Sequence, residues 1–438
     1  MRILHCSIGY VPPKGAPCGP VNLGGVPKVM QTICEGLVSQ SHHMTVWCTN
    51  RLDRRRKLST QSIEAELSGV HVRYFDTHCI PFWPGTFGPS YTPELETAIA
   101  RDLHTFDLIH LHEFRSYMSL KLARAAQQRR IPYIVQPHGS TDLLSFYNSL
   151  GWKRAYDRAV GLNILRNASA AIALQPDEAG KLHALGAAKG NVHTIPNSID
   201  PALRSNFPAP GTFRSRYGIS PERSVILFVG RLEKRKGADM LIRAHSMLAA
   251  PRPLLVMCGP DDGTLSDLRT LVRDLHTEVD VLFTGTLSGQ PLWAAYLDSD
   301  VFVLPSLFDI FPIVILEACL AGKPMLVSGT CQIADPLRDR AALIADPTPE
   351  AFSESLNRLL SNSALRAELA RGALSLVDSQ FSVQVQLNRV EQLYTQVTQQ
   401  AHETVDHHSQ LEFGCMPAPL PVVARVLHDR AARNHRGR

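Results

Sequence analysis

The sequence predicts an α/β protein of two doubly wound domains, and three observations carry that prediction. Short runs of aliphatic and β-branched residues recur along the chain, among them RILHCSIGY, IPYIVQPHGS, SVILFVG, LLVMCGP and VFVLP. Parallel strands buried on both faces take this form. Helical periodicity fills several of the intervals, which is the βα rhythm of an open parallel sheet. Length is the third: 438 residues exceed one ordinary domain and set an expectation of two or three.

Composition narrows the class. The chain is 44% hydrophobic and 19% charged, with 28 Gly and 30 Pro, as expected of a soluble α/β protein with many turns. A formal charge of +5 is modest at this size and gives no reason to expect nucleic acid. No run reaches the roughly 18 apolar residues of a membrane helix; Leu307 to Gly322 comes nearest and is broken by Asp309, Pro312 and Glu317. MRILHCSIGY reads as a first strand, not a signal peptide. Nine cysteines without a C-x-x-C pair predict reduced thiols in a cytoplasmic protein, with Cys6, Cys258 and Cys319 in the core.

After the first strand comes the loop VPPKGAPCGPVNLGG, then a helix from near Val26 with Val29, Met30, Ile33 and Leu37 on one face. Strand, glycine loop and helix bring backbone N–H groups against a phosphate or sugar, with Gly24 and Gly25 at the helix entry. G-x-G-x-x-G is missing, and the second strand, MTVWCTN, ends in Thr49-Asn50 without an acid, so dinucleotide binding is not expected. NRLDRRRK (50–57) reads as a solvated loop or as a contact for an anionic membrane or acceptor. IPFWPGTFGPSY (80–91) is too broken for an element and reads as a loop at an acceptor cleft or a shallow membrane contact.

In FDLIHLHEF, His110 and His112 share one strand face. Zinc would need a third ligand and none is recognisable nearby, so no metal is assigned and both are expected in the core. IPYIVQPHGS sets His138 and Gly139 at a strand's carboxyl end, where open α/β sheets bind ligands. A basic helix from Lys153, the strand AAIAL and the helix DEAGKLHALG follow.

The first domain is expected over 1–203 and a Pro-, Ser-, Arg- and Gly-rich linker over 204–222. The second domain follows over 223–380, then a final helix over 381–400 and a mobile basic tail over 401–438. After SVILFVG, Arg231 and Lys236 stand in a strand-to-helix loop, a guanidinium fork and a point charge placed to converge on one diphosphate. Farther on, SDVFVLPSLFDIFPIVILEACLAGKPMLVSG holds a strand, a turn, and a short helix with Pro312 at its first position and Gly322-Lys-Pro as its stop. Asp309 and Glu317, eight residues apart, are carboxylates too costly to bury without partners. Between them the helix start, at Ile313 and Val314, leaves free N–H groups that seat a phosphate. An acid, an anion seat and an acid together suit a sugar nucleotide. Asp298-Ser-Asp300 precedes its strand, the wrong end for a metal in the cleft.

SLFDIFPIVILEACLAGKP resembles the acid-x7-acid signature of retaining family 4 glycosyltransferases of GT-B fold, and GRLEKRKG resembles their G-R-L-x-x-x-K-G. Pro137-His138-Gly139 and PNSID are similar to the family's Pro-His-Gly and Pro-Asn-Gly-(Val/Ile)-Asp segments. The chain departs at Asp309, where Glu is usual, and at Ile310 and Ser198, where Gly is usual. Over nearly all of 1–400, the resemblance implies two Rossmann-like domains facing each other across a cleft and a final helix crossing back to the first. It implies metal-independent sugar transfer from a nucleotide sugar, UDP- or GDP-linked, with no other cofactor, to a glycan or lipid-linked glycan acceptor.

By the same resemblance Glu317 holds the ribose, Asp309 touches the donor sugar and His138 stands beside its reacting carbon. Gly24 and Gly25 lie by the diphosphate, and backbone around Gly285 to Leu287 meets the base. Arg231, Lys236 and the helix start at Ile313 and Val314 stabilise charge on the departing diphosphate. No side chain stands out as a general base, so a leaving phosphate oxygen is expected to take the acceptor's proton. The expected setting is cell-surface polysaccharide or glycolipid assembly, cytoplasmic or peripheral on the inner face of the membrane. The departures at 309 and 310 keep open a non-catalytic relative that binds sugar nucleotides as a partner or regulator.

Overall fold

A computed structural model describes residues 1–13, 15–16, 25–52, 56–79, 90–141 and 157–413. Gly24, the middle of the basic run at 53–55, most of the aromatic stretch, the start of the basic helix at Lys153 and the tail beyond Phe413 lie outside the described residues.

The first sheet contains β1 (Arg2–Ser7), β2 (His43–Thr49), β3 (Ile63–Leu67) and β4 (Val70–Phe75). A short antiparallel pair, β5 (His78–Cys79) with β6 (Ser90–Tyr91), stands apart from it. It continues with β7 (Leu108–His112), β8 (Tyr133–Gln136), β9 (Ala170–Ala173) and β10 (Val192–Thr194). The order is β10-β9-β8-β7-β1-β2-β4-β3, parallel except where β3 meets β4. The second sheet, β11 (Val225–Val229), β12 (Leu254–Cys258), β13 (Val281–Gly285), β14 (Val301–Leu304), β15 (Met325–Ser328) and β16 (Ala342–Ala345), is wholly parallel in the order β13-β12-β11-β14-β15-β16. Every residue of β7, β8, β9, β11, β12, β14 and β15 is buried, the reason these strands read as unbroken apolar runs. Strand order reverses at β1 and at β11, so the loops leaving those two strands open onto crevices at the carboxyl edges.

Three boundaries differ from expectation. Residues 204–222 are structured: a helical turn at Pro201–Asn206 is capped by Asp200, and a helix at Thr212–Tyr217 is held by Asp298, whose carboxylate accepts from the N–H groups of Gly211, Phe213 and Arg214. Pro312 is the residue ahead of its helix, in extended conformation, and the helix begins at Ile313. The final helix runs from Val383 to Phe413. Its buried stripe of Leu387, Val390, Leu393, Tyr394 and Val397 packs on the first helix (Gly25–Ser39) and β1. Past the buried Thr398, residues 399–403 are exposed or half-buried, so the apolar pattern lapses while the backbone helix carries on.

This crossover helix is tied to the first sheet's side at its entry. Ile199 N–H donates to Phe381 O (2.8 Å) and Val383 N–H donates to Ile199 O (3.1 Å). Ser198 Oγ donates to Gln386 Oε1 (2.6 Å), and Gln386 Nε2 donates to Pro196 O (2.9 Å), so the serine in place of the usual glycine adds a side-chain strap. No helix among the described residues is long and apolar enough to cross a membrane. Gly36 lies under the crossover helix, where a β-carbon would come within 2.4 Å of Leu387. Gly36→Val should therefore lower the unfolding free energy by about 1–3 kcal/mol through overpacking, read from urea denaturation followed by far-UV circular dichroism.

Candidate functional site

The carboxyl edges of the two sheets enclose a cleft of about 540 Å³. Its walls include Gly25, Lys28, Glu113, His138 and Gly139 from the first half, and Arg231, Lys236, Leu287, Asp309, Ile313, Val314 and Glu317 from the second. Every site residue expected from sequence is there except Gly24, which lies outside the described residues.

The loop after β11 carries the cations. Its helical turn at Lys234–Lys236 ends in Gly237 with φ of +65°, and a β-carbon there would stand 2.3 Å from Pro305 O. Only glycine allows both that backbone and that approach. The loop is thereby seated against the end of β14, and Lys236 Nζ reaches Asp309 at 2.9 and 2.7 Å. Arg231 is more exposed and holds Asp262 (2.6 Å) and Glu233 (2.8 Å). The two cations share the cleft but are engaged with different acids, not converged on one point.

On the helix Ile313–Leu320, Glu317 falls in the second turn and is only 5% exposed. Both of its oxygens are engaged: Lys28 Nζ, from the opposite wall, lies 2.6 Å from Oε1, and Tyr296 O–H donates to Oε2 at 3.0 Å. Ile310, at the position where glycine is usual, reaches across to Gly139, whose φ is +84° and whose missing β-carbon would sit 2.6 Å from Ile310 Cδ1. Asn197 Nδ2 donates to Phe311 O at 3.3 Å, a second bond across the cleft.

Two residues on the first half's wall, Glu113 after β7 and His138 after β8, have positive φ without being glycine (+70° and +51°). Such strain persists only where surroundings impose it and clusters at functional sites. Here Glu178, fully buried, accepts from Gly139 N–H (2.7 Å), Leu174 N–H (2.7 Å) and Thr141 Oγ1 (3.5 Å). Arg115 clamps the same turn: it donates to Ser140 O and forks onto Asp157 at 2.8 and 2.7 Å. Burial lowers the His138 imidazole to a pKa of about 3, so it is neutral near pH 7. Burial raises the Glu113 carboxyl to about 7.

Sequence alone offered no general base, and it passed over Glu113, Lys28 and Glu178. An acid directly after the strand ending in His112 was the signal for Glu113; the other two act through contacts that no local pattern encodes. It also found no third partner for His110 and His112. The fold supplies His5, because β1 runs parallel beside β7 with His5 opposite His110, and ring nitrogens of the three lie within 4.8 Å of one another. His5 Nδ1 and His112 Nε2 are 2.9 Å apart and share a proton, so these nitrogens serve each other. Asp298 and Asp300 are turned to the linker, with Asp300 accepting from Val225 N–H (2.8 Å) and Arg214 (3.2 Å).

The chain matches the family described as glycosyl transferases group 1 over residues 211–375, and that described as glycosyl transferase 4-like domain over residues 24–198. A D-inositol 3-phosphate glycosyltransferase of Salinispora arenicola is 28% identical over 333 residues, covering 70% of this chain and 74% of that protein. Among solved structures, Alr3699/HepE of Anabaena in complex with UDP superposes with a TM-score of 0.72 at 18% identity, covering 90% of this chain and all of that one. Sucrose-phosphate synthase of Thermosynechococcus elongatus gives a TM-score of 0.71 at 20% identity, covering 90% of this chain and 98% of that one. Two parallel α/β sheets, the cleft between their carboxyl edges and these matches over both halves agree: the chain belongs to the family 4 glycosyltransferases of GT-B fold.

Proposed function

We propose that this glycosyltransferase moves a sugar, with retention at the anomeric carbon, from a nucleotide sugar to a hydroxyl of a glycan or lipid-linked glycan. The main support is the row of acid–cation pairs, Lys236 with Asp309 and Lys28 with Glu317, flanking the start of one helix in the cleft. In this proposal the ribose hydroxyls displace Lys28 and donate to Glu317, a donor-sugar hydroxyl donates to Asp309, and the diphosphate lies over Arg231, Lys236 and the N–H groups of Ile313 and Val314. Backbone around Leu287 borders the base, and Gly25, beside Gly24, faces the diphosphate from the other wall.

The sugar–oxygen bond breaks with its electrons going to the diphosphate, and the acceptor oxygen attacks from the same face. The acceptor's proton passes to the leaving phosphate oxygen. Stabilising the charge that grows on that oxygen is an electrostatic task of several kcal/mol, assigned to Arg231, Lys236 and the helix start. His138, neutral, supports the reacting face. Glu113, once ionised, accepts a hydrogen bond from the acceptor hydroxyl and orients it. With cations doing this work and Asp298 and Asp300 occupied at the linker, no metal and no cofactor beyond the co-substrate enters the proposal. UDP in the Anabaena neighbour makes a UDP-linked donor the first to test, with GDP next.

The proposed setting is cell-envelope polysaccharide or glycolipid assembly in the cytoplasm, peripheral on the inner membrane face. Cys6, Cys34, Cys48, Cys258, Cys319 and Cys331 are free and buried, which suits a reducing compartment. Of the basic run, Arg51 is buried and Lys57 pairs with Asp76 at 2.6 Å, so membrane attraction rests on what remains of it. Co-sedimentation with anionic vesicles that fades as salt rises is the expected result; no co-sedimentation at low salt removes the membrane from the proposal.

Thermal shift with UDP, GDP, ADP, dTDP and CMP tests the donor site. At a ligand concentration of 100 times Kd, binding stabilises by about 2.7 kcal/mol, so one nucleotide should raise Tm clearly. Arg231→Ala and Lys236→Ala should each abolish most of that rise. No shift at millimolar nucleotide overturns a working donor site. Activity arising only on Asp309→Glu with Ile310→Gly would make the natural chain the non-catalytic relative.

The pH profile tests Glu113. Its raised pKa keeps the carboxyl protonated below about 7, and the accepting carboxylate appears above it. Acceptor kcat/KM should climb with pH through about 7 in the natural chain, and the climb should vanish in Glu113→Gln.

A further inference from the structure

We propose that Tyr394, His5, His110 and His112 form a buried hydrogen-bonded relay that fixes the proton of His138 on Nε2 and presents its Nδ1 lone pair to the cleft as an acceptor. The relay stands on geometry alone; its use on the donor sugar rests on the function proposed above.

The fold brings these groups together from four places. β1 and β7 put His5 opposite His110, and His112 follows on the same strand face. Tyr394 comes down onto them from the crossover helix. His138 Nε2 lies 2.7 Å from His112 Nδ1, His112 Nε2 is 2.9 Å from His5 Nδ1, His5 Nε2 is 3.2 Å from the Tyr394 hydroxyl, and that hydroxyl is 2.6 Å from His110 Nδ1. Tyr394 and the first three histidines of the chain's relay, His5, His110 and His112, have no exposed surface. Burial lowers the proton affinity of all four imidazoles, so each ring carries one proton near neutral pH.

Proton counting then leaves few choices. His5 and His112 use both nitrogens within the relay, so each donates from one and accepts at the other. The tyrosine has one hydroxyl proton and does the same. Two arrangements satisfy every link: all four rings protonated on Nε2, or all four on Nδ1. His138 offers the cleft a lone pair in the first and an N–H in the second.

The far end decides between them. His110 Nε2 and Gln136 Oε1 are both buried without a partner among the described residues. Gln136 stands opposite His112 on the neighbouring strand, two residues along from the partner of His110, so its side chain shares the face of the His110 ring. A proton on His110 Nε2 lets the orphaned amide oxygen turn onto it and accept, whereas a proton on Nδ1 leaves the ring nitrogen and, with the amide as placed, its oxygen both unsatisfied. The Nε2 arrangement therefore holds throughout. His138 Nδ1, with no partner among the described residues, accepts a hydrogen bond from a donor hydroxyl. Tyr394 and Gln136 are positioning residues, acting on the cleft only through His138.

Two-bond ¹⁵N–¹H spectra of the full chain labelled on histidine distinguish the two ring tautomers. Single His→Gln variants identify the four rings among the chain's 18 histidines. The expected result is four rings protonated on Nε2; any of them protonated on Nδ1 overturns the relay. In Tyr394→Phe, or in Gln136→Leu should that variant not fold, His138 should populate both tautomers, and an unchanged His138 spectrum also overturns it. With the nucleotide sugar identified by thermal shift, donor kcat/KM should fall about tenfold in Tyr394→Phe, as for one lost hydrogen bond. Affinity for the free nucleotide should stay within about twofold. Relay spectra as expected with unchanged turnover would overturn the link to the donor sugar, whereas absence of any nucleotide shift would strike the proposed function and leave the relay standing.

Discussion

Everything in the cleft depends on how the two sheets are held edge to edge, and that rests on a small patch of backbone. Ile199, leaving the first sheet, exchanges hydrogen bonds with Phe381 and Val383, which return from the second. Chain passes between the halves twice here, so a short parallel bridge fixes their relative position better than either crossing alone. Gln386 adds bonds to Pro196 and Ser198 on the same spot, and the crossover helix beyond it completes a core that includes the first helix and β1. Substituting serine for the usual glycine at position 198 is thus not a loose end of the sequence but part of the strap.

Given that alignment, the location of the chemistry follows from topology. Strand order reverses at β1 and β11, and the loops released there face each other across the gap. Each wall then brings what the other lacks. The second half supplies the cations of its strand-to-helix loop and two carboxylates, one ahead of a short helix and one within it, while the first supplies Lys28, Glu113 and an imidazole. The strained backbone at His138 is sustained by Glu178 and Arg115, which satisfy the turn behind it, while Glu113 donates its N–H to Gln136 O and accepts from Ser119 Oγ at its carbonyl.

Much of this was legible because the informative features are local. Fully buried strands leave continuous apolar runs, and Arg231 with Lys236, or Asp309 with Glu317, sit close enough in sequence for their spacing to state their proximity. What was hidden is non-local or conformational. Lys28 meets Glu317 across 289 residues of sequence, and His5 joins His110 and His112 only because two distant strands are neighbours. Glu113 looks like any acid after a strand until its positive φ is known. The structured linker was masked by its composition: its helix is capped by Asp298, a residue 84 to 87 positions away. The last helix was cut short for a different reason: residues 399–403 are exposed or half-buried, so the apolar pattern that signals a helix lapses while the backbone continues.

The acid–cation pairs carry a consequence for energetics. Arg231, Lys236 and Lys28 are not bare charges waiting for an anion; each is already neutralised by a carboxylate. Entry of an anionic ligand is then a partner exchange: the number of ion pairs is nearly conserved, and carboxylates such as Asp262, half exposed, are returned to water. The cationic side chains are held extended toward the cleft beforehand, so less conformational freedom is lost on binding. What is given up is affinity for a singly charged anion such as chloride, which offers each cation no more than the carboxylate already beside it. The pairs thus act as a filter by valence, letting through a ligand that brings several negative oxygens at once.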